Sequence, residues 1–358
     1  MHRRIFIALM AFMLFAFATT AEGQKEHEFY WSIYPGWQWV PYAENAGYFA
    51  EEASKRGIRI KITELKYEDS FVQFANGQAA ACVMTNMEAY NFPAASGLDV
   101  TIVSATDYSD GNDAVIGKFG IGDPSKLPAG TQIIAIEGTV SHYLIYQWER
   151  SLGLPKGHFG IVNTPNENLI MNTFLEGDYK LCATWNPHKM NILQDPRVQP
   201  EPLFDSSDIP GHIMDLVVVQ TDVVRTSPEF VQAIIAAQYR ALADMSSRIS
   251  GTKFKTLDFM ARKAGTETLQ EFRGQLETTH MFYTPQGAYE WINAEAFDLM
   301  DQMRQFCAET GLLTDTSDPD DVAIEFTANG QVRILGKENK VKLRFTDVWM
   351  KKAANGEF

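Results

Sequence analysis

Cysteine is scarce: Cys82, Cys182 and Cys307 are the three in 358 residues. So few, so widely spaced, do not make a disulfide scaffold, and an apolar core has to stabilise the chain. Free, buried thiols are expected, because cysteine is among the most buried residue types. The signatures G-x-S-x-G, the phosphate-binding G-x-x-x-x-G-K and H-E-x-x-H are missing too. Their absence removes the commonest marks of hydrolases, nucleotide-binding enzymes and zinc proteases. The seven histidines have no ligand spacing among themselves, so neither a metal nor a cofactor is expected. Positive charge is in deficit, with a formal net charge of -14. Such a balance argues against nucleic acid as a partner, which would call for basic patches.

Long apolar runs are absent but for one. MHRR is followed by IFIALMAFMLFAF and then by the small residues of ATTAEG. The run is too short to cross a bilayer, and the order of charge, apolar stretch and small residues predicts a signal peptide over residues 1–21, cut near Ala21. An uncleaved anchor is the alternative. Export to the periplasm is the expectation, and loss of Arg3 and Arg4 would take the net charge from -14 to -16. The roughly 335 residues that remain suffice for two medium domains.

From Glu28 the pattern alternates between strand and helix. EFYWSIY reads as a strand, YPGW as a turn, Tyr42 to Arg56 as a helix closed by Gly57, and IRIKITEL as a strand. After a Gly/Asp-rich break at Asp107–Lys118 the alternation restarts with TQIIAIEG. A second break spans Ser206–Asp215 and precedes the strand LVVVQ; beyond it the chain is mostly helical. The alternation predicts an α/β architecture. Two such units joined by two crossings predict two lobes and a hinged central cleft. The expected division is lobe 1 from 28–112 and 215–310, lobe 2 from 113–214, and a C-terminal extension of short strands at 311–358 around an Asn329-Gly330 turn.

The two units share a register. FANGQAAACVMTN runs from Phe74 to Asn86, and FLEGDYKLCATWN from Phe174 to Asn186. Phe, Gly, Cys and Asn recur one hundred residues apart. Ligands of open α/β sheets bind beyond the strand tips, so Asn86 and Glu88 in one unit, and Trp185 and Asn186 in the other, are candidate contacts. Core packing alone accounts equally for Phe74, Gly77, Cys82 and their counterparts.

Aromatic rings crowd the first loop: Tyr34, Trp37, Trp39 and Tyr42 lie within nine residues. Trp37 is the candidate wall for a flat or cationic ligand; Trp39 and Tyr42 also read as inward helix positions. Carboxylates stand at the other tips: Glu88, Asp113, Glu137 and Asp215. Capping and solvation are their ordinary roles, and Glu137 would suit a helix N-terminus. The same loops carry no Lys or Arg before Lys118 and Lys189, which disfavours an anionic ligand.

With SIYPGWQWVPYAENAGYF, FANGQAAACVMTN, GNDAVIGK, EGTVSHYLIYQWERSLGL and PGHIMDLVVVQTDVVRTSPEFVQAIIAAQYRA in order, the chain resembles the periplasmic solute-binding proteins of ABC importers. The resemblance covers about residues 28 to 310 and points to the group for nitrate, taurine, alkanesulfonate and thiamine precursors. It implies a two-lobed fold, capture by closure, a membrane permease as partner, and no enzymatic activity; a monomer is expected. YPGWQWVPYAENAG, TNMEAYNFPA and DYSDGNDAVIGK are similar to the subgroup associated with urea carboxylase. That similarity implies a small cationic or amide nitrogen compound, guanidine or urea. The acidic, aromatic tips favour guanidinium, with Trp37 and Trp185 as walls, Glu88, Asp113, Glu137 and Asp215 as charge partners, and Asn86 and Asn186 as orienting groups. Urea is the alternative ligand. An enzyme like the thiamine-pyrimidine synthases, which share the fold, is the rival from another class.

Overall fold

A buried central strand needs apolar residues on both faces, and the chain supplies one at once. β1 (Glu26–Trp31) places Phe29, Tyr30 and Trp31 in the core. The computed structural model describes residues 24–313 and 316–358, so the expected signal peptide lies outside the described residues. After β1, a 3-10 turn at Pro35–Trp37 leads into α1 (Trp39–Asn45) and α2 (Tyr48–Lys55). The expected single helix from Tyr42 to Arg56 is therefore two. Gly47 divides them in a left-handed conformation, with φ 75°.

β2 (Arg59–Glu64), α3 (Tyr67–Ala75), β3 (Ala81–Thr85), the single turn α4 (Asn86–Ala89) and β4 (Val100–Ser109) complete the first unit. The first expected break is shorter than its composition suggests. Asp107 to Ser109 belong to β4, and Ala114–Gly117 forms β5. Polar composition misleads there because these residues pair inside a sheet. The second unit follows as β6 (Gln132–Ala135), α5 (Val140–Ser151), β7 (Gly160–Asn163), α6 (Glu167–Glu176), β8 (Leu181–Thr184) and β9 (Phe204–Asp205). β10 (Met214–Gln220) and β11 (Thr279–Met281) return to the first sheet. β10 begins at Met214, so Asp215 stands on a strand rather than at the end of a loop.

Two sheets result. The smaller has the order β7-β6-β8-β5-β9. The larger contains the run β4-β10-β3-β1-β2, in which β10 lies antiparallel between β3 and β4 while β1 is parallel to β2 and β3. The repeated sequence is thus a repeated topology. β3 and β8 each lie between a parallel strand and an antiparallel crossing strand, and Cys82 and Cys182 are buried free thiols within them.

The C-terminal segment is not an appendage. β12 (Ala323–Ala328), β13 (Gln331–Leu335) and β14 (Val341–Thr346) extend the larger sheet beyond β4, with β14 parallel to β4. Positive φ at Asn329 and Gly330, 52° and 74°, makes the tight turn between β12 and β13. Phe326 and Phe345 stack at 5.1 Å and join the core. The segment covers what would otherwise be an exposed sheet edge at β4. Among the described residues no helix is long and apolar enough to cross a membrane.

Candidate functional site

Where the two sheets meet, the tips of β1, β3, β8 and β10 converge on one cavity. It is lined by Ser32, Ile33, Tyr34, Trp37, Tyr67, Thr85, Asp113, Val140, Trp185, Ile213 and Asp215. The centre of a water-sized sphere has about 20 Å³ in which to move, space on the scale of one or two waters. Val140 and Trp185 come from the side of the smaller sheet. Most of the remainder belongs to the larger.

Aromatic rings form a chain around the space. Tyr34 lies 5.1 Å from Trp37, Trp37 lies 5.5 Å from Tyr67, and Tyr67 meets Trp185 edge-on at 5.8 Å. The Pro35-Gly36 turn sets this geometry by folding the loop back over β4. A Cβ built on Gly36 would lie 2.4 Å from the Asp107 carboxylate oxygens, so only glycine lets the loop and β4 approach so closely. Trp39, by contrast, is fully buried against Phe29 and Phe49 and serves the core. Tyr42 donates its hydroxyl to Asp244, away from the cavity.

Behind the rings lie carboxylates. Asp215 pairs across strands with Asp107 on one side and with Thr85 on the other, so two acids stand side by side at the edge of the cavity. Asp113 accepts from Ser109 Oγ at 2.6 Å, and Ser109 is in turn within 2.6 Å of Ser206 Oγ. Glu88 accepts the Val140 N–H at 3.1 Å, across from the smaller sheet, and also bonds Thr85 Oγ1. All four acids are buried.

Burial decides their chemistry. It pushes Glu88 up to about 8, against the opposing Val140 N–H. Burial likewise raises Asp113 to about 6, partly offset by its bond from Ser109 and by the charge of Lys189. Asp107 rises to about 6, and Asp215 is driven well above its ordinary value by burial first and by Asp107 second. Two carboxyls so close and so buried resist ionising together, so the pair holds a proton more readily than a lone carboxyl would. Lys189 does not neutralise the group. Its ammonium is held by the Gly111 carbonyl and lies 4.0 Å from Asp205.

Several polar atoms around the cavity have no hydrogen-bond partner among the described residues: Ser32 Oγ, Tyr34 OH, Trp37 Nε1, Tyr67 OH, Asp107 Oδ1 and Asp215 Oδ2. Buried polar groups are normally satisfied, yet five of these line the cavity, with Asp107 Oδ1 beside it. Such a set suits a small, flat ligand with many hydrogen bonds to make. Among the described residues no group of three or more His, Cys, Asp or Glu is placed to hold a metal ion.

Of the residues expected from the sequence, Trp37, Asp113, Trp185 and Asp215 line the cavity. Glu88 stands one layer out, spent on Val140 and Thr85. Asn86 and Asn186 do other work. The Asn86 amide donates to His212 O and accepts from Met214 N, each at 3.1 Å, gripping the second crossing. Asn186 donates to Asn112 Oδ1 at 2.7 Å and to Thr278 Oγ1 at 3.3 Å, gripping the first. The repeated asparagines are clamps, one on each crossing segment. Glu137 lies apart, with its side chain exposed on the loop before α5; there a carboxylate keeps its hydration. Ser32, Tyr67, Val140 and Ile213 were not candidates from sequence. Tyr67 opens α3, and only the packing of that helix turns its ring into the cavity.

Comparison with solved structures matches this geometry to a known architecture. The aliphatic sulphonate binding protein SsuA of Escherichia coli superposes with a TM-score of 0.64 at 16% identity, over 82% of this chain and 94% of that one. SsuA of Xanthomonas axonopodis pv. citri, bound to MOPS, gives 0.66 at 11% identity over 81% and 94%. The nitrate-binding protein NrtA of Synechocystis PCC 6803 gives 0.55 at 9% identity over 83% and 92%. The chain has the periplasmic binding protein fold. No family model and no curated protein sequence matches it, so the likeness is one of architecture. In that architecture the cavity of Trp37 and Asp215 lies in the cleft between the lobes.

Proposed function

We propose that this chain is the exported solute-binding component of an ABC importer, and that it captures guanidinium in the cleft and delivers it to a membrane permease. The carrying observation is the two buried acids, Asp113 and Asp215, that line an aromatic cavity with Asp107 beside them; among the described residues none of the three is in an ion pair. The three structural neighbours named above carry the names of sulfonate and nitrate, which are anions. This cleft has the opposite electrostatic sign and would repel them. Guanidinium is planar, charged at neutral pH, and rich in N–H donors. It could share paired hydrogen bonds with Asp113 and Asp215 while the Trp37 and Trp185 rings cover it. The cavity, with room on the scale of one or two waters, is far smaller than a buffer-sized sulfonate.

Urea is the second reading, favoured by a specific feature. Trp37 Nε1–H and a protonated Asp215 would present donors to a neutral oxygen, which guanidinium lacks. Thermal melts at pH 8 with guanidinium, urea, nitrate and taurine, each at about 1 mM, separate the readings. A ligand present at 100 times its Kd adds about 2.7 kcal/mol of stability. Guanidinium alone should raise the melting temperature by several degrees; a rise with nitrate or taurine instead would refute the cationic reading.

A further inference from the structure

The cavity has a fixed floor and a ceiling that comes from the other lobe. Its floor and sides are the tips of β1, β3 and β10. Its ceiling is Val140 and Trp185. Neither has slack. Trp185 is braced edge-on by Tyr67 at 5.8 Å. Val140, 3% exposed, is the first residue of α5, and its N–H is tied at 3.1 Å to Glu88 on the opposite lobe. Moving Val140 outward would break a bond that holds the lobes together.

We propose that Val140 is a specificity-determining residue: its isopropyl group confines the cleft to the unsubstituted guanidinium ion and excludes N-alkylated guanidinium ions. This rests on the guanidinium reading above and names the substrate class within it. The argument is one of space and polarity. Room for water-sized centres is about 20 Å³, so the bare planar ion already uses what is there. An N-methyl group replaces an N–H and must displace a neighbour, because close-packed surroundings do not absorb a methyl freely. Toward Asp113 or Asp215 the methyl would leave a carboxylate oxygen unpaired. Toward the ceiling it meets Val140. Either way the lobes close less completely, and affinity falls through the closure step.

Val140→Ala removes two methyl groups from the ceiling but keeps the backbone N–H that Glu88 holds. Space appears without loss of the tie. Val140→Ile does the reverse and crowds the site.

Calorimetric titration of the purified, ligand-stripped protein and both variants with guanidinium and methylguanidinium tests this, with circular dichroism confirming that each variant folds. The native protein should prefer guanidinium by roughly 10- to 200-fold, the range for one methyl group in a fitted pocket. Val140→Ala should bind methylguanidinium at least ~10-fold more tightly than the native protein and narrow or reverse the preference for guanidinium. Val140→Ile should weaken guanidinium. Native binding of both ions within about threefold, or an unchanged preference in Val140→Ala, overturns the role of Val140 while leaving the guanidinium reading intact. A native protein silent to guanidinium overturns both.

Discussion

Replacing Asp215 by asparagine should stabilise the unliganded protein and at the same time abolish tight binding. A carboxyl neutral in the fold but ionised in the unfolded chain must take up a proton to fold. The cost is about 1.36 kcal/mol per pH unit above the ordinary value. For Asp215 that ordinary value is 3.8, and burial beside Asp107 carries the folded value well above it. At pH 7 the cost approaches roughly 4 kcal/mol as an upper bound. The substituted amide still loses hydration, so a net gain of about 1–3 kcal/mol is expected. For a chain of this size that raises the melting temperature by roughly 1–4 °C. The sign has a pH signature. A raised carboxyl gives its full stability below pH 3.8 and loses it as pH rises toward the folded value, so the gain from Asp215→Asn should be small at pH 4.5 and grow toward pH 7.5. Differential scanning calorimetry across that range is the assay; guanidinium chloride cannot serve as denaturant, because its cation is the proposed ligand. Binding should fall by at least ~100-fold, since a charge-assisted bond to a buried group is lost. A substitution that destabilises equally at every pH and leaves binding intact would refute the reasoning.

Three further outcomes follow from the same geometry. Glu88→Gln should change guanidinium affinity less than about threefold at pH 7, because burial holds Glu88 up to about 8 and its oxygens serve Val140 and Thr85 rather than the cavity; calorimetry on the variant checks it, and a hundredfold loss would place Glu88 on the ligand. Gly36→Ala should lower both the melting temperature and the affinity, since its Cβ would come within 2.4 Å of the Asp107 carboxylate; a variant with native affinity would show that the loop yields without moving Asp107. Guanidinium affinity should rise as pH climbs from about 5 to 8, by up to tenfold per unit for each proton released, because a bound cation draws protons off acids whose values burial has raised. Titrations at several pH values read this directly, and a fall in affinity with pH would favour a neutral ligand that accepts from protonated carboxyls.

The alternation of strand and helix made the α/β class legible, and the aromatic loop after β1 placed Trp37 where a cleft opens. What periodicity could not convey was which polar residue is spent on the fold. Asn86 and Asn186 stand at equivalent tips and look like paired ligand contacts. Only the paths of the two crossings reveal that each amide clamps backbone or side chains there. Glu137 and Asp215 were indistinguishable as carboxylates in loops, yet one is exposed and the other is 1% exposed beside Asp107. Their difference lies in strand register, which one chain's sequence does not encode locally. Tyr67 is an ordinary first residue of a helix until α3 packs on the sheet. The short strands around the Asn329-Gly330 turn were legible, but their partner was not, because β14 pairs with β4 more than two hundred residues earlier.

The central claim is that the cleft selects a small cation. Calorimetric titration of the ligand-stripped protein at pH 8 with guanidinium, urea, nitrate and taurine, at matched ionic strength, tests it most directly. Guanidinium should bind at one site per chain with release of protons to the buffer, and the two anions should give no heat. Saturable binding of nitrate or taurine, with guanidinium silent, would contradict it.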